Sequence, residues 1–210
     1  WGISRSVSVT VAKLCTLVTS INRTPGRDDD FPQLIGESHE VSRVRSTFIN
    51  LHLLLRAANN SFFTGHLRNA YDRLRDSLVL FKKVQNRKAV GIANNNLGNV
   101  MLTLYRTMKK TGSPTLCDLS QKGIIQNGCA YFKAAIDSGE EAIDRINREE
   151  GFSENYLIFM QQLSNRYFNR GIFLLTVRKD HPNPVEAEQQ GLMDLCTSQD
   201  MDPEGGDNRD

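Results

Sequence analysis

The sequence has no apolar run of about 20 residues, so no segment reads as a membrane-spanning helix. A signal peptide with an apolar core is also missing. There is no excess of one charge: 26 Lys and Arg stand against 24 Asp and Glu, interspersed, for a formal net charge of +2. That balance excludes the electrostatic footprint of a nucleic-acid-binding domain. Four cysteines, Cys15, Cys117, Cys129 and Cys196, form no CxxC pair and no dense secreted framework, which points to the reducing cytoplasm and to structural, buried thiols. His39, His52, His66 and His181 lack ligand spacing, and Asp28, Asp29 and Asp30 lack the Gly and distal Glu of a calcium loop, so no metal is expected. No nucleophile with a base, no paired acids and no phosphate-cradling glycine loop can be recognised. The expectation is therefore a non-catalytic chain without a cofactor.

What is present is an ordinary globular composition, 39% hydrophobic and 24% charged, in helical patterns. Val7, Val11, Leu14, Val18 and Ile21 step by four and three, as do Val41, Val44, Phe48, Leu51, Leu55 and Ala58. Between these seams "NRTPGRDDDFPQLIGESHE" breaks any helix with two Pro and two Gly. Leu67 to Val84 and Lys88 to Tyr105 read as amphipathic helices. "KKTGSPTLCDLSQKG" reads as a loop, with room for one helical turn at Pro114. One helix is expected from Ile125 to Ile146, running through Gly139. Another, capped by Ser153, continues to His181-Pro182. A short helix after Asn183-Pro184 and a disordered Asp- and Gly-rich tail from Ser198 complete the chain. No segment alternates like a strand.

Leu97, Gly98, Asn99 and Met101 resemble the first helix of a tetratricopeptide repeat, where a large apolar residue precedes a small one. Gly128, Phe132 and Ala135 are similar to the small, large, small order of that repeat's second helix. A weaker copy runs through Ala57, Ala58, Asn59 and Gly65 to Ala70, Leu74 and Ser77. A third is Leu163, Ser164, Asn165, Tyr167 and Gly171, with no second helix evident after it. Forty residues separate Ala58 from Gly98 and sixty-six separate Gly98 from Ser164, against a usual repeat of about 34. The small residues are expected to let helices approach closely, so Gly98 should tolerate Ala but not Leu.

The first part of the chain has another likeness. "TVAKLCTLVTSIN" and "EVSRVRSTFINL" are similar to the two helices of a HAMP signalling module, with Val11, Leu14, Val18, Ile21 and Phe48 turned inward. Thr10 stands where that family usually has Pro, and the glycine after the acidic start at Glu40 is missing. The resemblance implies a homodimer through these helices, beneath a membrane receptor. The chain opens on Trp1, followed by Arg5, as the cytoplasmic edge of a membrane span outside this chain would. An arbitrary boundary explains the same residues equally well.

The expected fold is all-α: tetratricopeptide-like helical hairpins, an α-solenoid fragment, following a coiled-coil or HAMP-like helix pair. The helix pair covers 1–57, the repeats 58–180, and a short helix and tail 181–210. The run Asn94, Asn95, Asn96, Gly98, Asn99 is costly for a helix, Gly by about 1 kcal/mol against Ala. In the repeat register Asn59, Asn99 and Asn165 recur at one position facing a concave groove, with Asn95 and Gln161 one turn earlier. Their amides are expected to bond a peptide backbone, and Phe62, Leu102 and Phe168 to add apolar contact. The implied function is recruitment of a protein or peptide partner by a cytoplasmic scaffold or signal-relay segment. A sensor for a peptide messenger and a helical accessory domain of a larger enzyme are the alternatives.

Overall fold

Leu67–Lys83 is helical because Ala70, Tyr71, Leu74, Ser77, Leu78 and Phe81 recur at three and four and bury one face, while Lys82 and Lys83 sit favourably at the negative helix end. This helix is α1. It follows helical residues 55–63, from which Gly65, at φ +80°, turns the chain. The second helix, α2, spans Arg87–Thr111. The Asn86 side chain accepts from Ala89 N–H at its start. Gly112 adopts the left-handed conformation at its end and returns its N–H to Met108 O. The structure, a computed structural model, describes residues 55–201 apart from 84, 85 and 150, all within the unit Thr47–Asp210. The HAMP-like seams up to residue 54, with Phe48 and the acidic connector, lie outside the described residues, as does Cys15.

The segment read as a loop with one helical turn is instead a small antiparallel hairpin, β1 Thr115–Leu116 and β2 Leu119–Ser120. Its two turn residues, Cys117 and Asp118, both have positive φ, the geometry of a tight hairpin turn. Asp118 is held there by Arg68 of α1 at 2.7 Å. Helix α3 then runs Gln121–Glu149 without a break at Gly139, as its spacing predicts. Helix α4 spans Glu154–Val177, and Ser153 caps it by accepting from Tyr156 N–H. A single 3-10 turn, Arg178–Asp180, leads to α5, Pro184–Asp200, whose Asn183 cap and Pro184 at the first position form a strong start. α5 is therefore no short appendage, and it stays helical past Ser198.

Each helix packs chiefly on its neighbours in sequence, and α2 also touches α4. Glycine notches set the approach. The Phe132 ring of α3 fills the space beside Gly98 of α2, where a Cβ would lie 2.6 Å from two ring carbons. Phe173 of α4 fills the corresponding notch at Gly128 of α3. Both rings are fully buried and lie 5.4 Å apart, centroid to centroid. Burial of such a side chain is worth about 1.5 to 3 kcal/mol. Between α4 and α5 the backbones themselves meet, since a Cβ on Gly171 would lie 2.8 Å from Gly191 O. Ser164 Oγ donates to Ser198 O at 2.8 Å across the same interface. The tolerance of Gly98 for Ala expected from sequence is corrected here, because Phe132 already occupies the position of the first side-chain carbon.

A polar clip closes the far end. Tyr105 O–H of α2 donates to Asp180, and Lys109 Nζ lies 2.7 Å from the same carboxylate. These contacts, Lys109 first and Tyr105 second, hold the Asp180 carboxyl below its ordinary range. A carboxylate with a depressed folded pKa stabilises the fold above its unfolded pKa and loses that contribution as pH falls through the folded value. Asp180→Asn is accordingly expected to flatten the acid limb of the stability profile below about pH 4. Thermal midpoints of both proteins between pH 2 and 6 check it, and parallel profiles would show that the clip contributes nothing.

Candidate functional site

Every residue of α2 from Gly91 to Leu102 is buried, so this helix has no solvent face over three turns. Its asparagines lie inside the helix packing. Asn96 Nδ2 donates to Asn59 Oδ1 at 3.0 Å, joining α2 to the helical residues 55–63. Asn95 Oδ1 accepts from Asn169 Nδ2 of α4 at 3.1 Å. The two amide pairs tie α2 to the helical residues 55–63 and to α4, each contributing about 0.5 to 1.5 kcal/mol net. Buried amides must be bonded, and a facing amide satisfies both donor and acceptor needs. Asn99 is buried as well, with Nδ2 unpartnered among the described residues.

This placement corrects the ladder expected from sequence. Asn95, 2% exposed, Asn99, 6% exposed, and Leu102 are covered by the chain itself and do not line an open groove. Asn59 is half-buried and engaged with Asn96. Half-buried Asn165 donates to Gln161 O of its own helix at 3.0 Å, while the Gln161 side chain is exposed. Phe62 and Phe168 are half-buried, Phe62 edge-on to Phe63. The structure thus brings together Asn59 with Asn96 and Asn95 with Asn169, and leaves Gln161 and Asn165 together on α4. Asn96 and Asn169 were not legible as site residues, since nothing local marks a partner 37 or 74 residues away.

Two arginines of α4, one turn apart, are buried in opposite ways. Arg170 forms a bidentate pair with Asp194 of α5, Nε to Oδ2 at 2.6 Å and Nη2 to Oδ1 at 2.7 Å. Burial alone would lower its pKa, but the bonds to Asp194 prevail and hold it above the ordinary value. Arg166 is 5% exposed and has no ion pair with any carboxylate among the described residues. Its Nη1 donates to Ala135 O at 2.6 Å. Burial pushes its pKa down to about 10. The guanidinium fits only because two residues opposite it lack side chains: a Cβ on Gly91 would lie 2.9 Å from Nη1, and one on Gly139 2.8 Å.

A pocket of about 120 Å³ opens where α2 begins, α3 ends and α4 begins, and Ser138 belongs both to its walls and to the Gly91 notch that holds Arg166. Its walls carry Arg87, Lys88, Arg145 and Arg148 against a single carboxylate, Glu141, with Phe159 as an aromatic wall. Glu141 is paired with Arg87. Lys88 Nζ stands 4.9 Å from the Phe159 centroid. Burial first, and the charge of Arg166 second, lower the Lys88 pKa. Ser138 Oγ forms the wall shared with Arg166: it approaches the same Gly91 notch at 2.9 Å and donates to Arg87 O. No protein-family model, curated protein or solved structure matches the chain.

Chemically, this concentration of positive charge attracts anions. Elsewhere, Cys129 Sγ lies 3.8 Å from His181 Nε2, but burial raises the thiol pKa, which disfavours the thiolate. Cys117 and Cys129 are only half-buried and Cys196 is exposed, which corrects the expectation of buried thiols for these three. Among the described residues no three His, Cys, Asp or Glu side chains converge as a metal site requires. None of the described helices is long and apolar enough to cross a membrane.

Proposed function

We propose that the chain is a binding module built from three tetratricopeptide-like helical hairpins, recruiting a protein or peptide partner in the cytoplasm. Helical residues 55–63 with α1, α2 with α3, and α4 with α5 are the three hairpins. The observation that carries this reading is the alignment of their first helices, bridged through Asn59 with Asn96 and Asn95 with Asn169. An array of this kind presents one extended surface, which is how stacked hairpins bind partners. In this reading the buried asparagines hold the array in register. Contact with a partner falls to exposed Gln161 and to half-buried Asn165, Phe62 and Phe168.

The test replaces Gln161 and Asn165 together with Arg, adding bulk and charge at sites whose burial is incomplete. Partners captured from cytoplasm by the parent are expected to be lost at least about tenfold in the double variant, a loss of about 1.4 kcal/mol or more. They should be retained by Lys133→Ala, which breaks only an exposed pair with Asp137. Equal capture by the parent and the double variant, or no partner specific to the parent, would defeat the proposal.

A further inference from the structure

Buried charges in proteins are paired, because leaving an ion without a counter-charge in a low-dielectric interior costs several kcal/mol. Arg170 obeys this rule through Asp194, and Arg166, one turn earlier on the same helix, does not. The nearest lining groups deepen the discrepancy. Arg87 and Lys88 occupy the first two positions of α2, whose first turn carries no acidic residue, so two cations stand at the positive end of a helix dipole. Arg145 and Arg148 near the end of α3 have an ordinary dipole explanation, since cations are favoured there. The pair at the start of α2 has none. Two helices, α2 and α3, thus line one small volume with four cationic side chains, with Glu141 as the one carboxylate among its walls and that one already held by Arg87.

We infer that this pocket, backed by Arg166 behind Ser138, is a binding site for a tetrahedral oxyanion, a phosphoryl group. The pocket is small and its walls are mostly cationic, which suits one compact anionic group. A phosphoryl dianion carries up to two charges and three strong acceptor oxygens, which match the several donors arriving from α2 and α3. A carboxylate has one charge and a planar pair of oxygens, and it leaves most of the excess uncompensated. The site also differs in kind from a glycine-rich phosphate loop, because the glycines here, Gly91 and Gly139, make room for the arginine and not for the ligand.

The probe is inorganic phosphate, titrated into the full chain against chloride at constant ionic strength, with unfolding followed by circular dichroism. Saturating phosphate is expected to raise the midpoint by about 2 to 4 °C, the shift of a ligand that binds only the folded state. Lys88→Ala with Arg145→Ala, neither of them in an ion pair among the described residues, should weaken the apparent affinity about tenfold or more, as loss of hydrogen bonds to a charged group requires. Arg166→Met, which removes the charge beyond Ser138, should weaken the phosphate effect further, and if that variant does not fold the Lys88 and Arg145 pair decides alone. N-acetyl-phosphoserine methylamide separates the sources: tighter binding than phosphate indicates a phosphorylated partner segment, and equal or weaker binding indicates the free ion. Identical midpoints in phosphate and chloride overturn the inference, as does a phosphate effect unchanged in the Lys88 and Arg145 double variant. Because the readout needs no protein partner, its failure leaves the recruitment proposal to its own test.

Discussion

Asp194→Ala is expected to destabilise the chain by about 3 to 5 kcal/mol, a large share of the total stability of a domain this size. Asp194 is 1% exposed and accepts from Arg170 Nε and Nη2 and from Gln190 Nε2. Its removal leaves the Arg170 guanidinium partly buried without its bidentate counter-ion, and that penalty exceeds the worth of the pair itself. Replacing both partners should show the difference. Arg170→Met with Asp194→Leu is expected to recover most of the loss, since apolar groups of similar volume avoid desolvation altogether. Urea denaturation of the parent, the single variant and the double variant measures this. A single variant within 1 kcal/mol of the parent would mean that α5 is not held to α4 by this pair.

Gly98→Leu should be the next most damaging change. Even Ala places its Cβ 2.6 Å from the Phe132 ring, and that ring cannot retreat: it is fully buried and lies against Phe173, itself seated over Gly128. For Ala the helix propensity gain of about 1 kcal/mol opposes an overpacking cost of about 1 to 3 kcal/mol, so the net effect is a modest loss. For Leu three further carbons meet the same ring, and a loss of about 3 kcal/mol or more is expected. In thermal unfolding each kcal/mol lowers the midpoint by about 2 to 4 °C for a chain of this length. Phe132→Leu combined with Gly98→Ala should lose less than the sum of the single changes, the signature of direct contact. An unchanged midpoint in Gly98→Leu would remove the notch from the account of how α2 meets α3.

The two effects differ in how far they can be anticipated from residues alone. Gly98 followed by Met101, and Gly128 followed by Phe132, mark a small residue beside a large one at helical spacing, and a close helix contact follows from size alone. Asp194 carries no such mark. In α5 the buried positions are Ala187, Gly191, Asp194 and Ser198, while Val185, Leu192 and Met193 are exposed, so small and polar residues face inward and large apolar ones outward. Apolar periodicity points to the wrong face of such a helix. For that reason the packing face of α5 is not evident in the sequence, although its Asn183-Pro184 start is.

The sequence by itself determined the helical character of the described residues except for the short segment that forms the β hairpin, most helix boundaries within a few residues, the Ser153 cap, the uninterrupted α3 and the places where helices approach closely. These follow from local physics: period, capping chemistry and side-chain size. The tertiary structure alone decided what the asparagines of α2 face. Period tells which side of a helix is apolar, but α2 is covered by α1, α3 and α4 together, and Asn59 and Asn169 turn a polar stripe into interior bridges. The same holds for Arg166. Its residue type and spacing suggest a solvated charge, and only the side chains missing at Gly91 and Gly139, from two other helices, make the space that buries it without an acid.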